Sequence, residues 1–220
     1  MKRLVIFDLD GTLLNTIDDL GAATNYALEA EGFPTHALEA YTMMVGNGVN
    51  LLIERALPEE HRTKATVERL LVHFRSYYDE HLADQTRPYP GIPELLSELT
   101  SREIAVAVAS NKYQDAVTRL INVFFPNVEW VAVEGHRQGI PTKPDPSIVF
   151  DILSIHPTPK AETLYVGDSG VDMETARRAC IESVGVTWGF RAVSELRNSH
   201  ADHIIYNPAD IIPLALADTL

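Results

Sequence analysis

Two aspartates, Asp8 and Asp10, follow the apolar run Leu4-Val5-Ile6-Phe7 and stand just before Gly11-Thr12-Leu13. A run of branched or aromatic apolar residues suits a strand covered on both faces, and the glycine releases the chain into a turn. Side chains two apart on a strand share a face, so both carboxylates could act on one ligand at the mouth of that strand. Such a pair suits a phosphoryl-transfer site. Taken alone, an Asp-x-Asp pair is most often an acidic loop after a strand.

This pair is not alone. Ile104 to Ala109 is an apolar run ending in Ser110-Asn111-Lys112, Pro141-Thr142-Lys143-Pro144-Asp145-Pro146 is a proline-framed lysine loop, and Thr163 to Val166 runs into Gly167-Asp168-Ser169-Gly170-Val171-Asp172. Each piece is common by itself, but the ordered set of four spans nearly the whole chain. In that order it resembles the haloacid dehalogenase superfamily of aspartate-nucleophile phosphohydrolases.

The resemblance implies a role for each matching residue. Asp8 is expected to be the nucleophile, forming an aspartyl-phosphate that water hydrolyses, and Asp10 the acid and base of the two half-reactions. Asp8, Asp168 and the backbone carbonyl of Asp10 resemble the magnesium ligands, all hard oxygens as Mg²⁺ prefers. Gly11, Ser110, Asn111 and Lys143 are expected to hold the phosphoryl oxygens, with Asp172 behind them, orienting the ligand set or pairing with Lys143. Lys112 and Thr12 are candidate auxiliaries. A phosphate monoester needs this much machinery, since rate enhancements approach ~10²¹ while positioning alone supplies about 7–11 kcal/mol. The remainder must come from covalent steps and from neutralising charge on the transferring group.

The elements that position these residues can be read from periodicity. Up to about Leu82 the pattern after Leu14 is helical, with apolar stripes at Ile17, Leu20, Ala23, Ala27 and Leu28 and from Val67 to Leu82, and shorter helical stretches at Ala37 to Met44 and Val49 to Leu57. From Pro88-Tyr89-Pro90-Gly91 onward helix and strand alternate. Strands are expected at 104–109, 128–133, 163–166, 183–187 and a short one within 201–206; helices at 92–99, 116–121, 148–153 and 173–179. The fold class is therefore α/β, a doubly wound, mainly parallel Rossmann-like sheet. Ligands of such sheets bind beyond carboxyl strand ends at a topological switch, which would bring the motif-bearing ends together. The expected core comprises residues 1–14 and 87–220, and residues 15–86 form an inserted helical domain, by resemblance a cap over the site.

Composition bounds the partners. The 220 residues carry a formal net charge of -13, 45% hydrophobic and 22% charged residues, and one cysteine, Cys180. A chain of this length buries roughly 70–75% of its unfolded surface and needs no disulfide. The acidic balance disfavours nucleic acid or an anionic membrane as a generic partner. An anionic substrate must then be drawn locally, by a cation and a few aimed lysines or amides. The apolar stretch after Lys2 and Arg3 stops at Asp8, too short for a signal-peptide core or a membrane span. A cytoplasmic protein acting on a small phosphorylated metabolite is expected, as monomer or homodimer. The eight histidines show no paired helical spacing suited to zinc.

Within the superfamily the chain looks most like phosphoglycolate phosphatases with a helical cap, on Ile17-Asp18-Asp19-Leu20, Val45-Gly46-Asn47-Gly48, Ser110-Asn111-Lys112 and Gly185-Val186-Thr187-Trp188-Gly189. Cys180 departs from the glycine with which relatives end that helix, which puts the local helix terminus in question. Gly46, Asn47 and Gly48, or a cap arginine such as Arg55, are candidates for contacting the substrate beyond its phosphate. Alternatives are a β-phosphoglucomutase-like phosphomutase, a pyrophosphatase, or a broad sugar-phosphate or nucleotide phosphatase. Such mutases carry a histidine where Leu20 stands here. A non-enzymatic phospho-aspartate switch shares much of the constellation but has no use for Asp10 or for a long helical insert.

Overall fold

In the computed structural model, which describes residues 1–217, Leu4–Phe7 forms strand β1, with every side chain buried. After the Asp8–Leu13 turn come β2 (Leu14–Asn15), α1 (Ile17–Ala30), α2 (Val49–Ala56), α3 (Lys64–His81) and β3 (Arg87–Pro88). There follow α4 (Ile92–Ser101), β4 (Ala105–Tyr113), α5 (Gln114–Phe124), β5 (Trp130–His136), α6 (Ser147–Ile155), β6 (Thr163–Gly167) and α7 (Gly170–Ala179). The chain closes with β7 (Glu182–Val186), α8 (Val193–Asn198), β8 (His203–Ile205) and α9 (Ile211–Leu216).

Six strands form one sheet in the order β5-β4-β1-β6-β7-β8, and every pairing in it is parallel. The order reverses at β1, so the carboxyl ends of β4, β1 and β6 lie side by side, as a doubly wound sheet requires. Leu4 and Ile6 pack on one face with Ile148, Val149 and Ile152 of α6 and Ala176 of α7. Val5 and Phe7 pack on the other with Leu95, Leu99, Val117 and Leu120 of α4 and α5. Burial on both faces is why β1 reads as an unbroken apolar run.

The residues between β2 and β3 are helical, and α1 packs on α3 and α2. The two connections to the sheet are tied together, because β2 and β3 pair antiparallel, Leu14 with Pro88 and Asn15 with Arg87. Asp19, buried in the first turn of α1, accepts hydrogen bonds from the N–H groups of Gln85 (3.0 Å) and Thr86 (2.8 Å) and from the Thr86 hydroxyl (2.7 Å).

Two strand ends differ from expectation, one of them that of β5, which runs to His136 rather than Val133. Strand β4 does not stop at Ala109 but continues to Tyr113, which pairs with His136 across an irregularity in the ladder. Ser110, Asn111 and Lys112 are thus strand residues whose polarity hides the strand, because their side chains serve the site. The short helix α8 has only two apolar positions, and the terminal α9, though apolar, is six residues long with a proline inside, so neither shows a helical period in the sequence.

Cys180 does end its helix. It takes the left-handed conformation, φ 57° and ψ 47°, and its N–H reaches the carbonyls of Ala176 and Arg177. A side chain in that region is strained by about 1–2 kcal/mol, while glycine pays more entropy from the unfolded state. Cys180→Gly should therefore raise stability by about 0.5–1 kcal/mol, read as a higher urea midpoint at unchanged slope.

Candidate active site

Asp8 is the first residue beyond β1 and its N–H bonds the Val166 carbonyl, so the neighbouring strand fixes its backbone. Its Oδ1 accepts a hydrogen bond from Lys143 Nζ at 2.8 Å. That ammonium also donates to Asp172 Oδ1 (2.7 Å) and to the Ala109 carbonyl at the end of β4 (2.9 Å). All three N–H donors of Lys143 are thereby used inside the protein. The lysine loop is fastened by Asn111, whose Oδ1 accepts the Lys143 N–H (2.8 Å) and whose Nδ2 donates to the Lys143 carbonyl (3.1 Å). The Lys143–Pro144 peptide is cis.

Asp172, in the first turn of α7, uses its second oxygen to accept from the Ser169 hydroxyl (2.6 Å) and the Ser169 N–H (3.2 Å). The carboxylate that caps the helix is also the one that positions Lys143. Asp168 lies at the end of β6, with Oδ2 accepting the Phe190 N–H at 2.7 Å. The loop carrying Phe190 crosses so close that a side chain on Gly11, where φ is +88°, would collide with the Asp168 carboxylate and with the Phe190 ring.

Asp8, Asp168 and Asp172 each offer an oxygen within 4.8 Å of the other two, and all three are buried. Three carboxylates face one buried ammonium, an imbalance of two negative charges that a single divalent cation would cancel. The titration behaviour expresses the same imbalance. Burial first, then the charges of Asp172 and Asp10, raise Asp8 to about 7 against the opposing pull of Lys143. Asp168 is likewise raised well above the usual carboxylate range by burial and by Asp172 and Asp8, while Lys143, although burial opposes its charge, is held protonated by Asp172 and Asp8. The donor set is all oxygen, which fits a hard cation such as Mg²⁺.

A pH dependence follows. Without a divalent cation the folded protein keeps Asp8 protonated up to about pH 7, whereas the unfolded chain ionises near the ordinary aspartate value of 3.8. The folded state binds more protons between those values, so stability falls as pH rises through that window. A cation displaces those protons and favours the ionised carboxylates. Addition of millimolar Mg²⁺ should raise the melting temperature at pH 8 by roughly 5 °C more than at pH 5, in a thermal melt with and without the metal. An equal increment at both pH values would contradict the assignment of these carboxylates as ligands.

Asp10 is turned away from this cluster. It is held by Lys112 Nζ (3.0 and 3.2 Å) and by the Thr16 hydroxyl (2.7 Å). Ser110 Oγ accepts the Lys112 N–H. From the helical insert, the Gly46 carbonyl accepts from Asn111 Nδ2 at 3.2 Å, and Gly48 lies against the Asn111 carbonyl, so that loop rests directly on the site. The Asn47 side chain accepts from Arg55 (2.9 Å), which also donates to the Met44 carbonyl. Thr12 is fully buried, and its carbonyl accepts the indole N–H of Trp188.

The structure thus brings Asp8, Asp10, Gly11, Ser110, Asn111, Lys143, Asp168 and Asp172 to one place, with Gly46 and Gly48 beside them. Asp19, Tyr78 and the Trp188–Arg191 loop are contributors that the sequence reading did not single out as site residues. Arg191 donates to the Val45 carbonyl at 2.7 Å and so ties that loop to the insert. The glycine-aromatic-arginine run after β7 was the available signal.

The doubly wound sheet, with its carboxylate-lysine cluster at adjacent strand ends, is the architecture of a hydrolase of the α/β class. The sequence profile of the haloacid dehalogenase-like hydrolases matches residues 5–186, and the chain belongs to that family. It is 30% identical over 223 residues to a phosphoglycolate phosphatase of Mesorhizobium japonicum, covering 100% of this chain and 96% of that one. It is 31% identical to the phosphoglycolate phosphatase of Pectobacterium atrosepticum, covering 96% and 92%. A crystal structure from Lactobacillus delbrueckii subsp. bulgaricus superposes with a TM-score of 0.93 at 32% identity, over 99% of this chain and 100% of that one. Among the described residues no helix is long and apolar enough to cross a membrane.

Proposed function

We propose that the chain is a Mg²⁺-dependent phosphatase of a small phosphate monoester, 2-phosphoglycolate first among them, acting through an aspartyl-phosphate on Asp8. The observation that carries this reading is the setting of Asp8: a buried carboxylate at the sheet's switch point, oriented by Lys143 and flanked by Asp168 and Asp172. Asp8 attacks phosphorus as the bond to the leaving oxygen breaks. Asp10 gives that oxygen its proton, then takes one from the water that releases phosphate. Ser110 and the Asn111 backbone bind the phosphoryl oxygens, and Lys143, whose donors go to Asp8, Asp172 and Ala109, offsets their charge from behind Asp8. Mg²⁺, held by Asp8, Asp168 and the Asp10 carbonyl, would neutralise charge between two anions. Residues 15–86 serve as the cap, and a cytoplasmic location accords with the single cysteine.

The space beside Asp8 and Asp10 supports a compact substrate. The cavity there, partly open to solvent, measures about 40 Å³, room for about three water molecules. Leu20, on the cavity wall, is the position where mutases carry histidine, and an apolar residue there favours water as the acceptor. The test is phosphate release with Mg²⁺ across 2-phosphoglycolate, hexose phosphates, nucleotides and pyrophosphate. A sharp preference for phosphoglycolate supports the reading, and equal turnover of hexose phosphates and nucleotides overturns the substrate.

A further inference from the structure

The cavity has one polar end that neither the nucleophile nor the phosphoryl ligands use. Its wall is apolar along Leu20, Val49, Leu52 and Phe74, and Lys112 is the one basic side chain among the described residues that line it. Lys112 is buried, and its Nζ lies 4.9 Å from the ring centre of Tyr78, contributed by α3 of the insert. Two of its contacts go to Asp10, leaving donor capacity on a group with three N–H bonds. Tyr78 is fully buried, stacked on Phe74 with ring centres 5.2 Å apart, and its hydroxyl, with the Lys112 ammonium beside it, makes no hydrogen bond of good geometry among the described residues. A buried hydroxyl without a well-made bond forfeits the hydration it had in the unfolded chain unless a ligand restores the bond.

We propose that Lys112 and the Tyr78 hydroxyl together receive the carboxylate of the substrate's leaving group and so determine specificity. This rests on the phosphatase reading above and names what selects the substrate. An ester oxygen receiving a proton from Asp10 lies within about 3 Å of that carboxylate, and Lys112 Nζ is 3.0 Å from the same group. A carboxylate attached through a single methylene therefore reaches the ammonium, whereas a longer chain overshoots into the apolar wall. The other cations nearby are committed elsewhere: Lys143 to Asp8, Asp172 and Ala109, Arg55 to Met44 and Asn47, and Arg191 to Val45.

The experiment compares 2-phosphoglycolate with ethyl phosphate, similar in size but without the carboxylate, in wild type, Lys112→Met and Tyr78→Phe, with Mg²⁺ present. Wild type should prefer phosphoglycolate by roughly 10² in kcat/KM, and the preference should fall about 30-fold in Lys112→Met and about 5-fold in Tyr78→Phe, mainly through KM. Equal losses on both substrates would mean that Lys112 acts only by positioning Asp10, and would overturn the assignment while leaving the phosphatase intact. If Lys112→Met fails to fold, Tyr78→Phe decides, and an unchanged preference overturns the proposal. A wild type that turns over ethyl phosphate equally well overturns both the assignment and phosphoglycolate as substrate. One that turns over neither overturns the proposed function as well.

Discussion

Asp8→Asn should lower Mg²⁺-dependent phosphate release by roughly 10⁴-fold or more, at least about 5.4 kcal/mol of barrier, and should leave the protein folded. An amide matches the carboxylate in shape and keeps an oxygen for the Lys143 ammonium, which bonds Asp8 Oδ1 in the native site. It cannot form the acyl phosphate, so the loss belongs to the chemical step. The fold has no reason to suffer, because the ionised form of Asp8 is disfavoured by burial and by Asp172. At pH 8 without metal the variant should melt no lower than wild type. Rapid acid quench during turnover checks the same point, with protein-bound phosphate in wild type and none in the variant. Residual activity above about one hundredth of wild type would place the nucleophile elsewhere.

Lys143→Met should produce the largest combined loss, roughly 10³-fold in turnover and about 3–5 kcal/mol in stability near pH 8. Nζ is the only cation in contact with Asp8 and Asp172 among the described residues, and its removal leaves buried carboxylates facing one another. The lysine's own contribution is fully present well beyond neutrality, since its folded pKa lies above the ordinary value. The destabilisation should therefore shrink as pH falls and the orphaned carboxylates take up protons. Urea melts at pH 8 and pH 5 test this. A deficit that is the same at both pH values would show that the lysine's packing, rather than its charge, holds the site.

Much of the site was legible because its residues sit where strands end. An unbroken apolar run followed by Asp8-Leu9-Asp10-Gly11 can be read without coordinates, as can the spacing that sets Asp172 one helical turn beyond Asp168. The sheet class followed from alternating helix and strand. Less visible were contacts that depend on distant segments meeting. Asp19 reads as an ordinary acidic residue in a first helical turn, yet it holds the backbone of Gln85 and Thr86. Tyr78 reads as one more member of an apolar stripe, and its poorly bonded hydroxyl is evident only once Lys112 lies over its ring. The polar residues Ser110 to Lys112 masked the continuation of β4, since the site rather than the core dictates their side chains.

The pairing of Leu14–Asn15 with Arg87–Pro88 bears on how such a protein can change over evolutionary time. Both ends of the intervening helical segment leave the sheet through one short hydrogen-bonded ribbon, so the sheet meets the same boundary whatever lies beyond it. Lengthening an insertion whose ends are already joined adds little closure entropy, about 0.6 kcal/mol per doubling. The helices can thus be exchanged, enlarged or trimmed as a module without shifting the register of β1 against β4 and β6. Substrate preference can then drift by recombination of this segment while the phosphoryl chemistry beneath it is inherited unchanged.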